Sequence, residues 1–569
     1  MASLKKDGLT VTAHLGDSSV LLAFDIDDSK KDNLAGFSIE CTTPSKGPYD
    51  SKKYFLKNSL SFDKITSDKK PTPKPSDIAP FQTFHWIHFP SAGPGNYQYT
   101  VYASYFANNT TELRQKVTIP VDLSYKAFSR LEMGFTRGYV SSQAYADRFK
   151  NNKNILPKNK SIDFDTSKNR IVYEWLGTHA RKLVFDFLQE CENDKSILLD
   201  VFAYDLDEPA IIQKLIKLAP RIRIFQDDYT STKKEKDGTT TKVGHGLADA
   251  IEMKAVTALK KAGAQTKTGH FGRFAHNKIM IQKKNGKAVK ALTGSANFSM
   301  RGLYVQANSV LVFDDPFVAG IYEQAFEQAF TCASKFRTSF IASKWHEIKN
   351  RPGLPLFSVS FAPHKKPFNS KEKSTLDKVD KAINSAQKSV LFAIMSTSSS
   401  GQIISSLENL KNKNNVFSLG TTQQKGSHFK LSRPGMDDNS AVVHFDYLKN
   451  DIAPPFKAEW GGGQGQVIHH KFVVCDFNGK NPTVFCGSSN LAEGGETCNG
   501  DNLIAIYDKK IATYYAVEAI RLFDHYRFRN LHENSTTKNP LTLKSTDEWI
   551  NPYYDDNDIK SLERQSLIV

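Results

Sequence analysis

At 569 residues, 39% hydrophobic and 24% charged, the chain is long enough for more than one folded domain and too apolar to be largely disordered. No run of eighteen apolar residues argues for a membrane-spanning helix, and MASLKKDGLTVTAHLGDSS lacks the apolar core of a secretory leader, so a cytoplasmic location is expected. A formal net charge of +16, from 76 Lys+Arg against 60 Asp+Glu, favours an anionic partner, either nucleic acid or an acidic membrane surface; the bland alternative is a solvated lysine-rich surface.

Residues 1–126, nearly balanced in charge, read as an all-β sandwich of immunoglobulin or fibronectin type. Runs of alternating or β-branched character fall at Leu9–Leu15, Val20–Ile26, Ala35–Cys41, Phe81–Phe89, Tyr97–Phe106 and Val117–Val121, with turn residues between them. A Pro/Lys loop, Lys64–Asp77, interrupts the strands. This module is expected to bind or position rather than catalyse, with a partner the residues do not specify. Residues 127–155, including SRLEMGFTRGYVSSQAYADRF, read as a connector that packs against the C-terminal portion of the chain or covers its mouth.

An internal duplication comes next. In the first half, helical spacing at Val172–Glu190 precedes an apolar run at Lys195–Tyr204, a helix at Asp207–Lys217 and a strand at Arg221–Phe225. The second half repeats the order with Leu376–Gln387, Lys388–Met395, Gln402–Leu410 and Val416–Leu419. Each half later adds a strand (Ala307–Phe313, Leu503–Tyr507) and a helix (Val318–Phe330, Ile511–Phe523). The alternation predicts an α/β fold, a mixed sheet with flanking helices, built twice as pseudo-twofold halves at 127–355 and 356–535. A tail at 536–569, with Trp549, Tyr553, Tyr554 and Arg564, is expected to dock on the catalytic body.

The chemistry lies in two hairpins with Asn-Gly turns. Residues 274–298 read FAHNKIMIQKKNGKAVKALTGSANF, and residues 467–490 read VIHHKFVVCDFNGKNPTVFCGSSN. On a strand, His276 and Lys278 share a face, as do His469 and Lys471. Gly294, Ser295 and Asn297 close the first unit; Gly487, Ser488 and Asn490 close the second. Imidazole supplies a nucleophile or proton carrier near neutral pH, while ammonium and amide groups stabilise charge on phosphoryl oxygens. A strand interior has little use for Lys beside His unless an anion sits there.

Two copies of H-x-K-x4-D followed by G-S-x-N are the mark of the phospholipase D superfamily, which this chain resembles. The second copy, His469, Lys471, Asp476, Gly487, Ser488 and Asn490, matches in full; in the first, Lys283 stands where the acid belongs. The resemblance implies a phosphodiesterase working by double displacement, with His276 as nucleophile and His469 as general acid. It implies that Lys278, Lys471, Asn297 and Asn490 clamp the non-bridging oxygens, that Ser295 and Ser488 support them, and that Asp476 is a supporting residue. No cofactor and no metal are expected. A carboxylate should orient each histidine: Asp501 is one candidate, whereas the first half offers Asn308 at the matching place and then Asp314 or Asp315.

Other residues invite plainer readings. His470 should face away from its neighbours and pack, and His245, His270 and His444 are lone histidines without partners at a telling spacing. Met280 and Met395 are core residues by context. The insertion Asp227–Gly246 reads as a flexible polar rim, followed by Lys254, Lys260, Lys261, Lys267 and Arg273 on the approach to His276; Trp460–Gln466 leads into His469. No G-K-[ST] follows those glycines, so a P-loop is excluded. Six scattered cysteines form no C-x-x-C pair, which leaves disulfides and zinc unsupported, although Cys475 and Cys486 could lie close across a hairpin. The preferred substrate is a phospholipid headgroup, met by peripheral membrane contact; the alternatives are a metal-independent nuclease and a catalytically weak binding protein.

Overall fold

The computed structural model describes all residues except 1, 46–50, 68–70, 109, 124–127, 139–141, 151, 153, 158–160, 236, 396–400, 424–441, 445–467 and 569. The expected Trp460–Gln466 segment lies outside the described residues.

Alternating apolar residues build the N-terminal sandwich. One sheet orders Ala2–Lys6, Leu9–Gly16, Ser19–Ile26 and His85–His88; the other orders Thr110–Leu123, Gly95–Ala107, Leu34–Thr42 and Lys53–Phe55. Val11, Phe24, Phe37, Tyr97, Tyr99 and Val101 fill the space between them. The strand expected over Phe81–Phe89 is shorter, His85–His88, because Phe81 instead bridges Phe37 outside the ladder.

The two halves repeat one sheet order. The first places Leu131–Phe135, Ser309–Phe313, Lys287–Gly294, Ile279–Lys284, Leu198–Ala203, Ile222–Asp227 and Gln265–Gly269 side by side. The second places Leu356–Phe361, Asn502–Tyr507, Thr483–Gly487, Phe472–Cys475, Ser389–Ile394, Phe417–Thr422 and Val442–His444 in the same sequence, with His346–Ile348 added at one edge. The connector thus contributes an edge strand of its own, Leu131–Phe135, paired with Ser309–Phe313. Helices Arg170–Asn193 and Pro316–Cys332 flank the first sheet and Lys509–Glu533 the second, and a continuous apolar core runs through both halves.

Three expectations change. The insertion at 227–246 is an exposed antiparallel hairpin, Thr230–Lys234 with Thr240–Gly244, held by backbone pairing rather than left as an open loop. The tail does not dock on the catalytic body alone: Trp549, Ile550 and Tyr553 enter the sandwich core, while Ile559 and Leu567 join the core of the halves. Cys475 and Cys486 are free thiols, because the hairpin register sets Cys475 opposite Thr483 and leaves Cys486 on the other face.

Buried contacts join the sandwich to the two α/β halves. Asp17 accepts the backbone N–H of Phe135 at 2.6 Å and lies 2.8 Å from Nδ1 of His179. His85 lies 2.8 Å from Asp524 and 2.6 Å from Glu563, joining the sandwich to helix Lys509–Glu533 and to the tail.

Candidate active site

Both motif hairpins present their His and Lys just ahead of a strand rather than within it. His276 and Lys278 precede Ile279–Lys284, and His469 and Lys471 precede Phe472–Cys475. The extended backbone still sends His and Lys to one side, and each lysine turns back on its own histidine. Lys471 Nζ donates to the His469 carbonyl at 2.8 Å, and Lys278 Nζ does the same to His276. The first hairpin turns through Asn285 and Gly286, both left-handed (φ +52° and +72°), as a tight primed turn requires.

The G-S-x-N segments have a packing reason for their first two residues. Gly294 and Gly487 have φ of +148° and +131°, and an added Cβ would fall 2.2 Å from the Ser309 carbonyl oxygen and 2.5 Å from that of Asn502. The serines then tie each loop to the neighbouring strand. Ser295 Oγ donates to Asn308 Oδ1 at 2.9 Å and accepts from Ser309 N at 3.0 Å; Ser488 Oγ accepts from Asn502 N at 2.9 Å. Ser295 and Ser488 are therefore scaffolding for the asparagines that follow.

The halves exchange partners at the centre. His276 Nδ1 lies 2.6 Å from Asp501 Oδ1 of the second half, and His469 Nδ1 lies 2.8 Å from Asn308 Oδ1 of the first. The Asn308 amide can be oriented in one way only, because its Nδ2 donates to the Gly302 carbonyl while its Oδ1 accepts from Ser295. Both neutral imidazoles thus donate through Nδ1, which leaves the Nε2 lone pair unprotonated. Backbone bridges repeat the exchange: Gly500 N donates to Phe274 O at 2.7 Å, and His469 N to Ala307 O at 3.3 Å. Neither Asp314 nor Asp315 takes the orienting place; Asp315 caps a helix and binds Arg351, and Asp314 faces Lys290.

All four motif side chains are buried. Burial and then Lys278 push His276 down to about 4 against the pull of Asp501; burial, Lys471, Lys278 and His276 push His469 well below the usual imidazole range. Burial also lowers Lys278 to about 8 and holds Lys471 well below an ordinary lysine, with Lys278 adding repulsion. The repulsion between Lys278 and Lys471 and their effect on both imidazoles place the four side chains in one small space.

Asp476 belongs elsewhere. Its carboxylate accepts the backbone N–H groups of Gln387, Lys388 and Ser389 at 3.0, 2.7 and 3.0 Å, so it anchors the start of strand Ser389–Ile394. The expectation that it supports the site fails because it lies beyond the far end of the motif strand. Lys283, its counterpart, binds Glu323 at 2.5 Å.

His470 turns into the core as expected, against Phe135 and Phe472, with Nε2 2.9 Å from Glu518. His245 and His270, read as lone histidines, both have carboxylate partners. His270 lies 2.6 Å from Asp228, while His245 sits between Asp227 at 2.8 Å and Asp205 at 3.0 Å. Asp227 ends one parallel strand and Asp205 follows its neighbour by two residues, the end of an α/β sheet where ligands gather. That position was the signal the sequence offered for them. Tyr204 stands between, its ring 4.5 Å from that of His245 and 4.7 Å from that of His276. Among the described residues, Asp205, His245 and Glu252 could meet a cation, as could Asp200, Glu323 and Glu327; the latter group already binds Lys283 and Arg223. In the former the imidazole is itself the cation: burial lowers it, but Asp205 and Asp227 outweigh burial and raise it to about 10.

A family model described as "Cardiolipin synthase, PLD-like domain" matches residues 184–330 and again 379–523, just over half of the chain. No curated protein matches the sequence. Among solved structures, the chain is similar to polyphosphate kinase from Porphyromonas gingivalis, at 11% identity over 62% of this chain and 48% of that one, TM-score 0.39. It therefore spans about half the length of that kinase. Phosphatidylserine synthase from Haemophilus influenzae Rd KW20 is similar at 11% identity over 68% of this chain and 93% of that one, TM-score 0.39. Yeast tyrosyl-DNA phosphodiesterase is similar at 11% identity over 57% and 87%, TM-score 0.30. With one PLD-like domain matched in each half and both H-x-K motifs at the junction between them, the chain belongs to the phospholipase D-like family.

Proposed function

We propose that the protein cleaves a phosphodiester by double displacement, with His276 as the nucleophile and His469 as the general acid. The observation that carries this reading is the unequal pairing of the two imidazoles, Asp501 on one and Asn308 on the other. Attack by His276 Nε2 forms an N–P bond and breaks the bond to the leaving alcohol. The ring then carries positive charge with its Nδ1 proton in place, which a carboxylate balances. A general acid has the opposite need: paired with a neutral amide, the His469 imidazolium gives its proton up readily to the leaving oxygen. His469, now neutral, takes a proton from water or an alcohol, which attacks phosphorus and frees His276. Lys278, Lys471, Asn297 and Asn490 hold the non-bridging oxygens. A diester drawn between the lysines offsets their repulsion and raises both imidazoles, so that protonation of His469 follows substrate binding.

The substrate preferred here is a phospholipid headgroup, since the matching domain model is described as that of a cardiolipin synthase. One observation favours nucleic acid as a second reading. The hairpin beside the site exposes Lys233, Lys234 and Lys242 with Val243 as its one apolar residue, a ribbon suited to a polyanion.

The test incubates wild type, His276→Ala and His469→Ala with phosphatidylcholine vesicles and with single- and double-stranded DNA, in EDTA. Headgroup release or exchange lost in both variants supports the first reading, and DNA cleavage lost in both supports the second. Turnover of neither substrate, or turnover indifferent to both substitutions, overturns the catalytic reading in favour of a binding protein.

A further inference from the structure

We infer that His245 is a positioning residue for the first half-site, holding Asn297 and the segment that carries His276 in one arrangement through Asp205 and Asp227. The inference rests on the phosphate-clamping role proposed for Asn297.

The path is continuous. Ala275 N, one residue before His276, donates to Asp227 Oδ1 at 2.5 Å; Asp227 Oδ2 lies 2.8 Å from His245 Nδ1. His245 Nε2 lies 3.0 Å from Asp205 Oδ1, and the other Asp205 oxygen accepts from Asn297 Nδ2. A carboxylate at that place leaves the amide a single orientation, with nitrogen toward Asp205. One Asn297 N–H is thereby tied down, which sets the plane of the amide and the direction of its second N–H. Both arms of the first motif, H-x-K and G-S-x-N, hang from one imidazolium.

The second half supplies the contrast. At the position matching Asp227, the neutral Gln423 accepts Ile468 N at 2.8 Å, one residue before His469. A neutral amide there needs no counter-ion. The first half has put carboxylates at Asp227, fully buried, and at Asp205, partly buried, and two acids held this close call for a cation between them. His245 supplies it from the root of the exposed hairpin, directly after strand Thr240–Gly244. Its ring also backs Tyr204, which stands edge-on to His276 and lies 4.8 Å beneath Lys278 Nζ.

A merely structural histidine and a positioning one differ in how their loss combines with the loss of Asn297. The experiment compares full-length wild type, His245→Gln, Asn297→Ala and the double variant. It reads inorganic phosphate affinity by calorimetry and turnover of bis(4-nitrophenyl) phosphate. Each single substitution should weaken both readouts by roughly tenfold, and the double variant should be no worse than Asn297→Ala alone. Losses that multiply to about a hundredfold, or His245→Gln at wild-type levels, overturn the inference. So does wild type that fails to bind phosphate. If His245→Gln does not fold, Asp205→Asn takes its place, because it loosens the grip on Asn297 at constant shape and is read against the same cycle. Turnover indifferent to His276→Ala would sink the proposed reaction, while the phosphate cycle would still decide the role of His245.

Discussion

Asp501 accepts the Nδ1–H of His276 from the opposite half of the molecule, 225 positions along the chain. An amide at that place can donate as well as accept, so Asp501→Asn stabilises the tautomer with its proton on Nε2, which cannot attack phosphorus. kcat should fall by about 10²- to 10³-fold with the melting temperature little changed. The reciprocal change, Asn308→Asp, gives His469 a carboxylate, raises its affinity for a proton and moves the alkaline limb of the rate profile to higher pH. A pH–rate series on both variants checks each sign.

The proposed division of labour can be caught in the act. A 4-nitrophenyl leaving group needs no proton, so His469→Ala should still release nitrophenolate from a 4-nitrophenyl diester in a single burst. The enzyme should then stall with the phosphoryl group on His276. Intact-mass measurement of the quenched protein should show the adduct in His469→Ala and lose it when His276→Ala is added. An adduct on any other residue would reverse the assignment.

Asp476 offers a separation of stability from chemistry. Asp476→Ala leaves the N–H groups of Gln387, Lys388 and Ser389 without their acceptor. It should lower unfolding free energy by about 1–3 kcal/mol while kcat of the folded fraction stays within twofold of wild type, on the order of experimental scatter. Urea titration and steady-state kinetics on the same preparation decide it.

Thr136 links the connector strand to the catalytic centre. Its hydroxyl accepts Asn308 N at 2.9 Å and donates to Gln306 O at 2.6 Å, one residue after Phe135, where Asp17 of the sandwich enters. Thr136→Val removes both bonds and frees the loop that holds Asn308 against His469. Turnover of an unactivated diester should drop roughly tenfold, whereas the nitrophenolate burst, which bypasses His469, should keep its wild-type rate.

His85 should give stability an alkaline edge. Burial lowers its pKa, but Asp524 and Glu563 outweigh burial and raise it to about 10. A raised folded pKa means the pair contributes fully below the ordinary imidazole value of about 6.5. The contribution then falls away as pH climbs through about 10. Urea midpoints measured across that range should decline more steeply for wild type than for His85→Asn, which carries no charge to lose. Parallel slopes would show that the ion pair contributes nothing.

Much of this architecture is written in local pattern. The β-sandwich, the two halves and the chain order of their helices and central strands follow from periods of 2 and 3.6 that any short window displays, and the Asn-Gly turns mark where the motif hairpins reverse. Tertiary structure decided the rest. Nothing near Asp476 in sequence says that its carboxylate faces backbone at the far end of a strand, while Asp501 and Asn308 reach histidines of the opposite halves. A polar, lysine-rich insertion looks like a loop until its register pairs it into a hairpin. His245 looks solitary because Asp205 and Asp227 come from two other strand ends that meet it only when the sheet is assembled. Residue types and spacings set which chemistry the chain can perform, because they act through neighbours in sequence. Which carboxylate serves which imidazole depends on two halves packing face to face, and short-range patterning carries no record of that contact.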